Sequence, residues 1–210
     1  NTTNIPQLVV YSVIPTSQQG GCQGQAQTVT VIVNPPIELI SPLSTEICSG
    51  DIVDLQLVAN ANVTFNWFAQ SSLDVNGESL TVQNGNLIND QLINTTTTTQ
   101  AVIYTVVATT TANGCSSPST QINVFVNPSP VVAPFSEEIC SGETLAIPLG
   151  ASSPSIFSWF ATDNLDVTGE TQSLQTNSVI TDQLINSTNN SETVTYNIQA
   201  ASNKGCLGPV

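Results

Sequence analysis

The chain has 210 residues and a formal net charge of −14, with 15 Asp and Glu, one Lys, and no Arg, His or Met. Without imidazole, Ser-His-Asp and Cys-His catalytic arrangements and His metal ligands are excluded. One cation cannot neutralise a row of phosphates, and the negative field repels nucleic acid, so nucleic acid is excluded as a partner. With 40% hydrophobic residues, the chain has enough apolar side chains to form packed cores.

The chain repeats itself with a period of about 92 residues, which is the signature of tandem structural units. We divide it into the C-terminal part of an upstream repeat (1–36), a complete repeat (37–128) and a repeat that lacks its last strand (129–210). A chain that begins and ends inside repeats is expected to be an internal piece of a longer array. The matched segments are 45–51 with 137–143, Trp67-Phe68 with Trp159-Phe160, D-Q-L-I-N at 90–94 with 182–186, and Cys22 with Cys115.

Apolar and polar residues alternate over short segments of each repeat, a pattern typical of half-buried β-strands. Asn-Gly pairs between these segments supply the positive φ angles of tight turns. About seven short strands, one with a buried Trp, indicate an immunoglobulin-like sandwich, so the predicted fold is all-β. In chain order, the apolar positions of the complete repeat are Val53, Leu55 and Leu57; Phe65 and Trp67; Val102, Tyr104, Val106 and Ala108; and Ile122, Val124 and Val126.

Trp67 and Trp159 occupy equivalent positions and could serve as sugar-stacking platforms or as core residues. Each follows a Phe by two residues and so shares that residue's strand face, which favours the core. Tyr104 and Tyr196 lie on the apolar face of a later strand and are also expected in the core. The repeats end in N-P-P (34–36) and N-P-S-P (127–130), which predict short, stiff linkers.

Five cysteines at matched positions, without a CxxC motif, indicate disulfides and an oxidising compartment. Buried free thiols are a further reading. A disulfide needs Cα atoms within about 7 Å, and the closing strand between Cys22 and Cys48 spans roughly 23 Å. Pairing within repeats is therefore favoured, each bond stabilising its domain by about 4 kcal/mol. The pairs are Cys48–Cys115 and Cys140–Cys206 within repeats, or Cys22–Cys48 and Cys115–Cys140 across junctions.

Acidic residues near the repeat starts are candidate ligands for a structural Ca²⁺ ion, which needs only oxygen ligands. A D-x-D-x-D-G loop is absent, so no cofactor is the main expectation. Paired carboxylates are the one catalytic arrangement that the composition permits, but they recur in each repeat, so no catalytic residue is expected. Asp90 and Asp182 are expected to accept hydrogen bonds in turns. The calcium candidates are Glu46, Asp51, Glu138 and Glu143.

Several strings together resemble a known family: I-C-S-G, N-W-F or S-W-F, D-Q-L-I-N, V-x-Y, G-C and V-N-P. They are similar to the PKD-like, immunoglobulin-fold repeats of giant Bacteroidetes surface adhesins, including those of gliding motility. The resemblance implies export by the type IX secretion system, a stalk or filament role, and repeat disulfides Cys48/Cys115 and Cys140/Cys206. It also implies core positions at both Trp-Phe strands and both tyrosines. The W-x-F-G-D-G turn of true PKD domains is absent, since Trp67 is followed by F-A-Q.

We therefore expect a non-enzymatic stalk segment of a large surface-exposed adhesin, active in gliding motility or attachment. The expected location is extracellular, at the cell surface, with no membrane insertion of this segment. Expected partners are neighbouring repeats of the same chain, the type IX secretion and gliding machinery, and surface polysaccharide. One alternative is a carbohydrate-binding or spacer module of a secreted hydrolase. The other is a self-assembling filament subunit whose missing last strand comes from a neighbouring chain.

Overall fold

The computed structural model describes all residues, 1–210, and consists of strands, turns and loops. The prediction of an all-β fold is confirmed. No helix is long and apolar enough to span a membrane. The strands are β1 (Gln7–Val13), β2 (Gln27–Val33), β3 (Ser44–Cys48), β4 (Leu55–Gln56), β5 (Val63–Ala69), β6 (Val75–Asn76), β7 (Gln83–Asn84), β8 (Leu87–Ile88), β9 (Ile93–Asn94), β10 (Gln100–Thr110), β11 (Thr120–Asn127), β12 (Ile147–Pro148), β13 (Ser155–Ala161), β14 (Val167–Thr168), β15 (Val179–Ile180), β16 (Ile185–Asn186) and β17 (Tyr196–Ser202).

Residues 37–128, called here the second unit, form a two-layer sandwich. The main sheet has the order β3-β11-β10-β5-β7 and is antiparallel except for β3, which runs parallel to β11. The short pairs β4–β8 and β6–β9 contribute to the same core from the opposite side. The parallel β3 places its last residue, Cys48, beside the last residue of β11, Asn127.

The core of the second unit follows the period-two pattern of its strands. Every second residue of β10 from Val102 to Ala108 is buried, and the inward residues of β11 have no exposed surface. Trp67 packs edge to face on Tyr104 with ring centroids 5.8 Å apart. Since complete burial of one such apolar side chain stabilises by roughly 1.5–3 kcal/mol, β11 alone is a major contributor to this core.

Residues 129–210, the third unit, repeat part of this sandwich. β13 pairs with β17 as β5 pairs with β10, and the rings of Trp159 and Tyr196 are again 5.8 Å apart. The core is smaller, with 7 buried residues against 17 in the second unit. No counterpart of β11 is present, so residues 129–140 have no ladder to join and lie outside regular strands.

Residues 1–36, the first unit, contain a single hairpin in which β1 pairs with β2. Apolar side chains on this hairpin are exposed, among them Leu8, Val10 and Ile32. The two hydrophobic cores are separate clusters, one ending at Val126 and the other beginning at Leu145. The second and third units therefore have separate hydrophobic cores.

Candidate functional site: the junction between units

Asp90 is a buried carboxylate that ties a loop to the central strand β10. The Tyr104 hydroxyl donates to its Oδ2 at 2.8 Å, and Ser79 donates both its backbone N–H and its hydroxyl, each at 2.7 Å. The third unit repeats this arrangement around Asp182. Both carboxylates are therefore occupied by hydrogen bonds that fix the fold.

Burial changes the ionisation of the two tyrosines that bind these carboxylates. Desolvation first, and then the hydrogen bond to Asp90, raises the pKa of Tyr104 well above its ordinary value. Desolvation and Asp182 raise the pKa of Tyr196 in the same way. Both hydroxyls stay protonated at neutral pH and act as hydrogen-bond donors. Trp67 beside Tyr104 is only 3% exposed, so its ring is not presented as a sugar-stacking platform.

The four acidic residues considered as calcium ligands do not converge. No group of three or more His, Cys, Asp or Glu side chains lies together anywhere in the chain. Asp51 and Glu143 each accept the backbone N–H of the cysteine three residues earlier, at 3.2 and 2.7 Å. Glu46 forms an ion pair between two units, and Glu138 is exposed.

Cys48 and Cys140, the turn cysteines, begin two Cys-Ser-Gly turns that are built alike. In both turns, the glycine N–H donates to the leucine carbonyl of the D-Q-L-I-N segment at 2.7 Å. The serine hydroxyl accepts the N–H of that segment's asparagine at 3.0 or 3.1 Å. The glutamine side chain of the segment donates to the glycine carbonyl at 2.8 Å. The D-Q-L-I-N segment of each repeat therefore fixes the Cys-Ser-Gly turn of that repeat with the same set of hydrogen bonds.

The other three cysteines, the loop cysteines, also share one geometry. Each follows a long strand and forms a closed turn with a Ser or Thr near the end of that strand. The cysteine carbonyl accepts that residue's N–H at 2.8–2.9 Å, and its hydroxyl accepts the cysteine N–H at 3.0–3.2 Å. The pairs are Ser17 with Cys22, Thr110 with Cys115, and Ser202 with Cys206.

One disulfide is formed, and it joins the second unit to the third. Cys48 is bonded to Cys206, with Cα atoms 5.4 Å apart and a sequence separation of 158. Cys22, Cys115 and Cys140 are free. The predicted pairs Cys48–Cys115 and Cys140–Cys206 are therefore wrong. The alternative pairs across junctions, Cys22–Cys48 and Cys115–Cys140, are wrong as well.

The direction of β3 explains why bonds within a unit are not formed. Cys48 lies beside Asn127 at the end of β11, whereas Cys115 lies in the loop before β11 begins. An eight-residue strand separates the two positions by roughly 23 Å, far beyond the approximately 7 Å that a disulfide allows between Cα atoms. The closing-strand length that disfavours a Cys22–Cys48 bond therefore also excludes a bond inside the second unit.

Polar contacts surround the disulfide at this junction. Lys204 Nζ of the third unit lies 2.8 Å from Glu46 Oε1 of the second unit. The Asn127 side chain donates to the same oxygen at 2.9 Å. The hydrogen bonds from Lys204 and then Asn127 lower the pKa of Glu46. Both charged side chains are about half exposed, so the pair orients the junction more than it stabilises it.

The junction between the first and second units places a loop cysteine in the same way. Asn34, the counterpart of Asn127 in the V-N-P string, lies beyond the end of β2. Its side-chain Nδ2 is 3.6 Å from Cys115 Sγ. A loop cysteine therefore lies at the end of the preceding unit's closing strand in both junctions.

An open groove lies beside β17 in the third unit, where β11 lies in the second. It runs between β17 and residues 132–141, and its apolar lining includes Leu145, Ile147, Tyr196 and Ile198. In the second unit, the equivalent space is filled by the inward side chains of β11. The groove therefore has the shape and lining of a vacant strand position.

Two junction residues were not singled out from the sequence. Lys204 is the one cation of the chain and lies two residues before a loop cysteine, a placement that could have marked a contact. Asn34 recurs in the V-N-P string, which indicated only a linker. The sequence identifies the cysteines, but their bonding partners depend on the relative placement of two units, which no local pattern reports.

The chain was compared with protein families, curated proteins and solved structures. The PKD-like domain family matches residues 1–36, 45–130 and 137–210. No curated protein matches the chain. Two matching solved structures are a three-domain immunoglobulin fragment of the titin I-band and its Glu-to-Ala variant, each 13% identical, with 98% of this chain and 87% of that chain covered at a TM-score of 0.33. A chimeric titin tandem is 16% identical, with 82% and 95% covered and a TM-score of 0.25.

Proposed function

Since the chain belongs to the PKD-like domain family, we propose that it is a non-enzymatic stalk segment of a large surface adhesin of the gliding-motility SprB type. In this proposal the segment is extracellular and is exported by the type IX secretion system. Its partners are neighbouring repeats, the gliding machinery and surface polysaccharide. Its task is mechanical, since it separates an adhesive end from the cell and carries load between them.

The Cys48–Cys206 disulfide is the observation that carries the proposal. A force applied at the two ends of the chain passes through residues 37–47, which include most of β3, before it reaches Cys48, and it leaves the third unit near Cys206. The bond connects Cys48 directly to Cys206, so the chain between these two cysteines, a sequence separation of 158, is removed from the load path. This covalent bypass protects the strands from β4 to β17 from stretching, which is useful in a stalk under tension.

The composition supports the same role. With a net charge of −14, neighbouring stalks repel each other and remain soluble. The buried carboxylates Asp90 and Asp182 are engaged by tyrosine and by Ser or Thr hydroxyls. These acidic groups serve the fold, in keeping with a non-enzymatic segment.

Surface labelling of the source cells tests the proposal. An antibody raised against the 210-residue chain should label filaments outside intact cells by immunogold electron microscopy. Cells that lack the gene serve as the control and should show no label. Label that is found only after the cells are permeabilised would contradict the extracellular stalk role.

A second candidate is a self-assembling subunit that accepts a strand from a neighbouring chain, and the groove beside β17 is the surface on which that strand would pair. A peptide with the sequence of residues 119–128, S-T-Q-I-N-V-F-V-N-P, has the alternation needed to pair with β17 and fill the groove. Binding of this peptide should be measured by fluorescence anisotropy, with a control peptide in which Ile122, Val124 and Val126 are replaced by Ser. Equal binding of both peptides, or of neither, would remove this candidate.

A further inference from the structure

We propose that the Cys48–Cys206 bond is one member of a series in which the turn cysteine of every unit bonds to the loop cysteine of the next. The free cysteines Cys22, Cys115 and Cys140 are then halves of further bonds to units on either side. This inference rests on the stalk role proposed above, because bonds to units on either side require a longer protein with more copies of the repeat.

The first junction is arranged to receive such a bond. In the second unit, the turn cysteine Cys48 is the register partner of Asn127, and Asn34 is the counterpart of Asn127 in the first unit. A turn cysteine of the first unit, placed by the same parallel strand, would therefore lie beside Asn34. The Asn34 side chain already contacts Cys115 Sγ at 3.6 Å. Cys115 thus lies at the position where the turn cysteine of the preceding unit is expected.

The third unit presents the other half of the bond. Cys140 begins a turn with the same hydrogen bonds as that of Cys48, including an acidic side chain on its own N–H. Cys140 is exposed and free. A following unit, docked as the third docks on the second, would bring its loop cysteine to this sulfur.

Bond formation is an oxidation of two thiols. The sulfurs of one turn cysteine and one loop cysteine form an S–S bond and lose two protons and two electrons. A disulfide-bearing oxidant accepts them. A thiol–disulfide oxidoreductase in the export compartment is thereby reduced to its dithiol form, and in vitro oxidised glutathione is reduced to two molecules of glutathione.

Bonds of this kind overlap along the array. Each bond spans 158 residues, whereas the repeat is about 92 residues long, so each bond begins before the previous one has ended. Between two successive bonds of one series, the tension is carried by the chain segment from a loop cysteine to the next turn cysteine. This segment is about 25 residues long, as between Cys115 and Cys140. Only these linking segments can be stretched, and each contains a closing strand such as β11. The array therefore has two interleaved covalent tracks, in which the load falls on the closing strands while the rest of each unit is bypassed.

The test extends the 210-residue chain at Val210 by a second copy of residues 120–210, which completes the third unit and adds one more. Two reciprocal variants are refolded with oxidised glutathione, alkylated and mapped without reduction. The first carries Cys140→Ala in the added copy, and the second carries Cys140→Ala in the original copy.

In the first variant, the original Cys140 should be bonded to Cys206 of the added copy. In the second variant, that added Cys206 should be alkylated, although Cys140 of its own unit is present. A free original Cys140 in the first variant, or a bond inside the added unit in the second, would overturn the inference. Hydrogen exchange of the added β13 and β17 copies checks that the unit folds.

A second measurement does not depend on refolding. The longer protein taken from the surface of its source cells is mapped in the same way, and I-C-S-G peptides should be joined to G-C peptides of the following unit. Bonds inside single units, or free thiols throughout, would overturn the inference. Neither result bears on the surface labelling above, so failure here is distinguishable from failure of the stalk role.

Discussion

Replacing Cys206 by Ala removes the bond between the units and should destabilise the third unit selectively. When the third unit unfolds while the second stays folded, the bond closes a loop that runs from Asn127, beside Cys48, to Cys206. This loop has roughly 80 residues, and the chain-entropy model gives such a closure about 4.5 kcal/mol of stabilisation. The third unit has the smaller core and an open strand position, so it depends strongly on this contribution.

Hydrogen exchange measured by mass spectrometry separates the two units. In Cys206→Ala, amides of β13 and β17 should exchange faster by about three powers of ten, because each 1.4 kcal/mol is a factor of about ten. Amides of β5 and β10 should change little. Cys48→Ala should reproduce the effect, since either partner removes the same bond.

Free cysteines provide the matched controls. Cys115→Ala and Cys140→Ala should leave exchange in both units unchanged because neither residue is bonded. Destabilisation of the second unit by Cys115→Ala, together with destabilisation of the third unit by Cys140→Ala, would refute the reasoning and indicate bonds within units.

Three further predictions concern load, pH and a turn. In single-molecule pulling from the two ends, the segment between Cys48 and Cys206 should not extend while the disulfide is intact. A reducing agent should increase the contour length by about 50 nm. Full extension of the oxidised chain would contradict the bypass. Because the pKa of Tyr104 is raised in the folded state, the contribution of this residue to the free energy of unfolding should be constant below about pH 10 and fall above it by up to about 1.4 kcal/mol per pH unit. Alkaline denaturant titrations should show a shallower fall in Tyr104→Phe, and an identical slope would argue against the effect. Gly77→Ala places a Cβ 2.0 Å from the Gln91 carbonyl oxygen at φ 102°, whereas the Cβ of Gly114→Ala has no neighbour within 4 Å at φ 69°. In urea unfolding, the free energy of unfolding should therefore fall by about 1 kcal/mol in Gly114→Ala and by at least about 2 kcal/mol more in Gly77→Ala.

The strands were predictable from the sequence because burial in a sandwich imposes a period of two. The alternation from Val102 to Ala108 and from Ile122 to Val126 identified the inward faces of β10 and β11 directly. Internal repetition then placed the weaker strands of the third unit by analogy with the second. Local pattern and repeat spacing together were enough for the fold class.

The junction was not predictable in the same way. Whether β3 pairs parallel or antiparallel leaves no trace in five residues, yet this direction places Cys48 at the far end of β11. The position of Cys206 beside it depends on how the third unit docks, through contacts such as Lys204 with Glu46. Cysteine spacing therefore identified the bonded residue types but not their partners.

Non-reducing peptide mapping of the 210-residue chain tests the central claim most directly. Cleavage after glutamate separates all five cysteines, since a Glu lies between each consecutive pair. The account predicts one cross-linked species, in which the Cys48 peptide is joined to the Cys206 peptide, with the other three cysteines alkylated. A Cys48–Cys115 species accompanied by Cys140–Cys206 would contradict it.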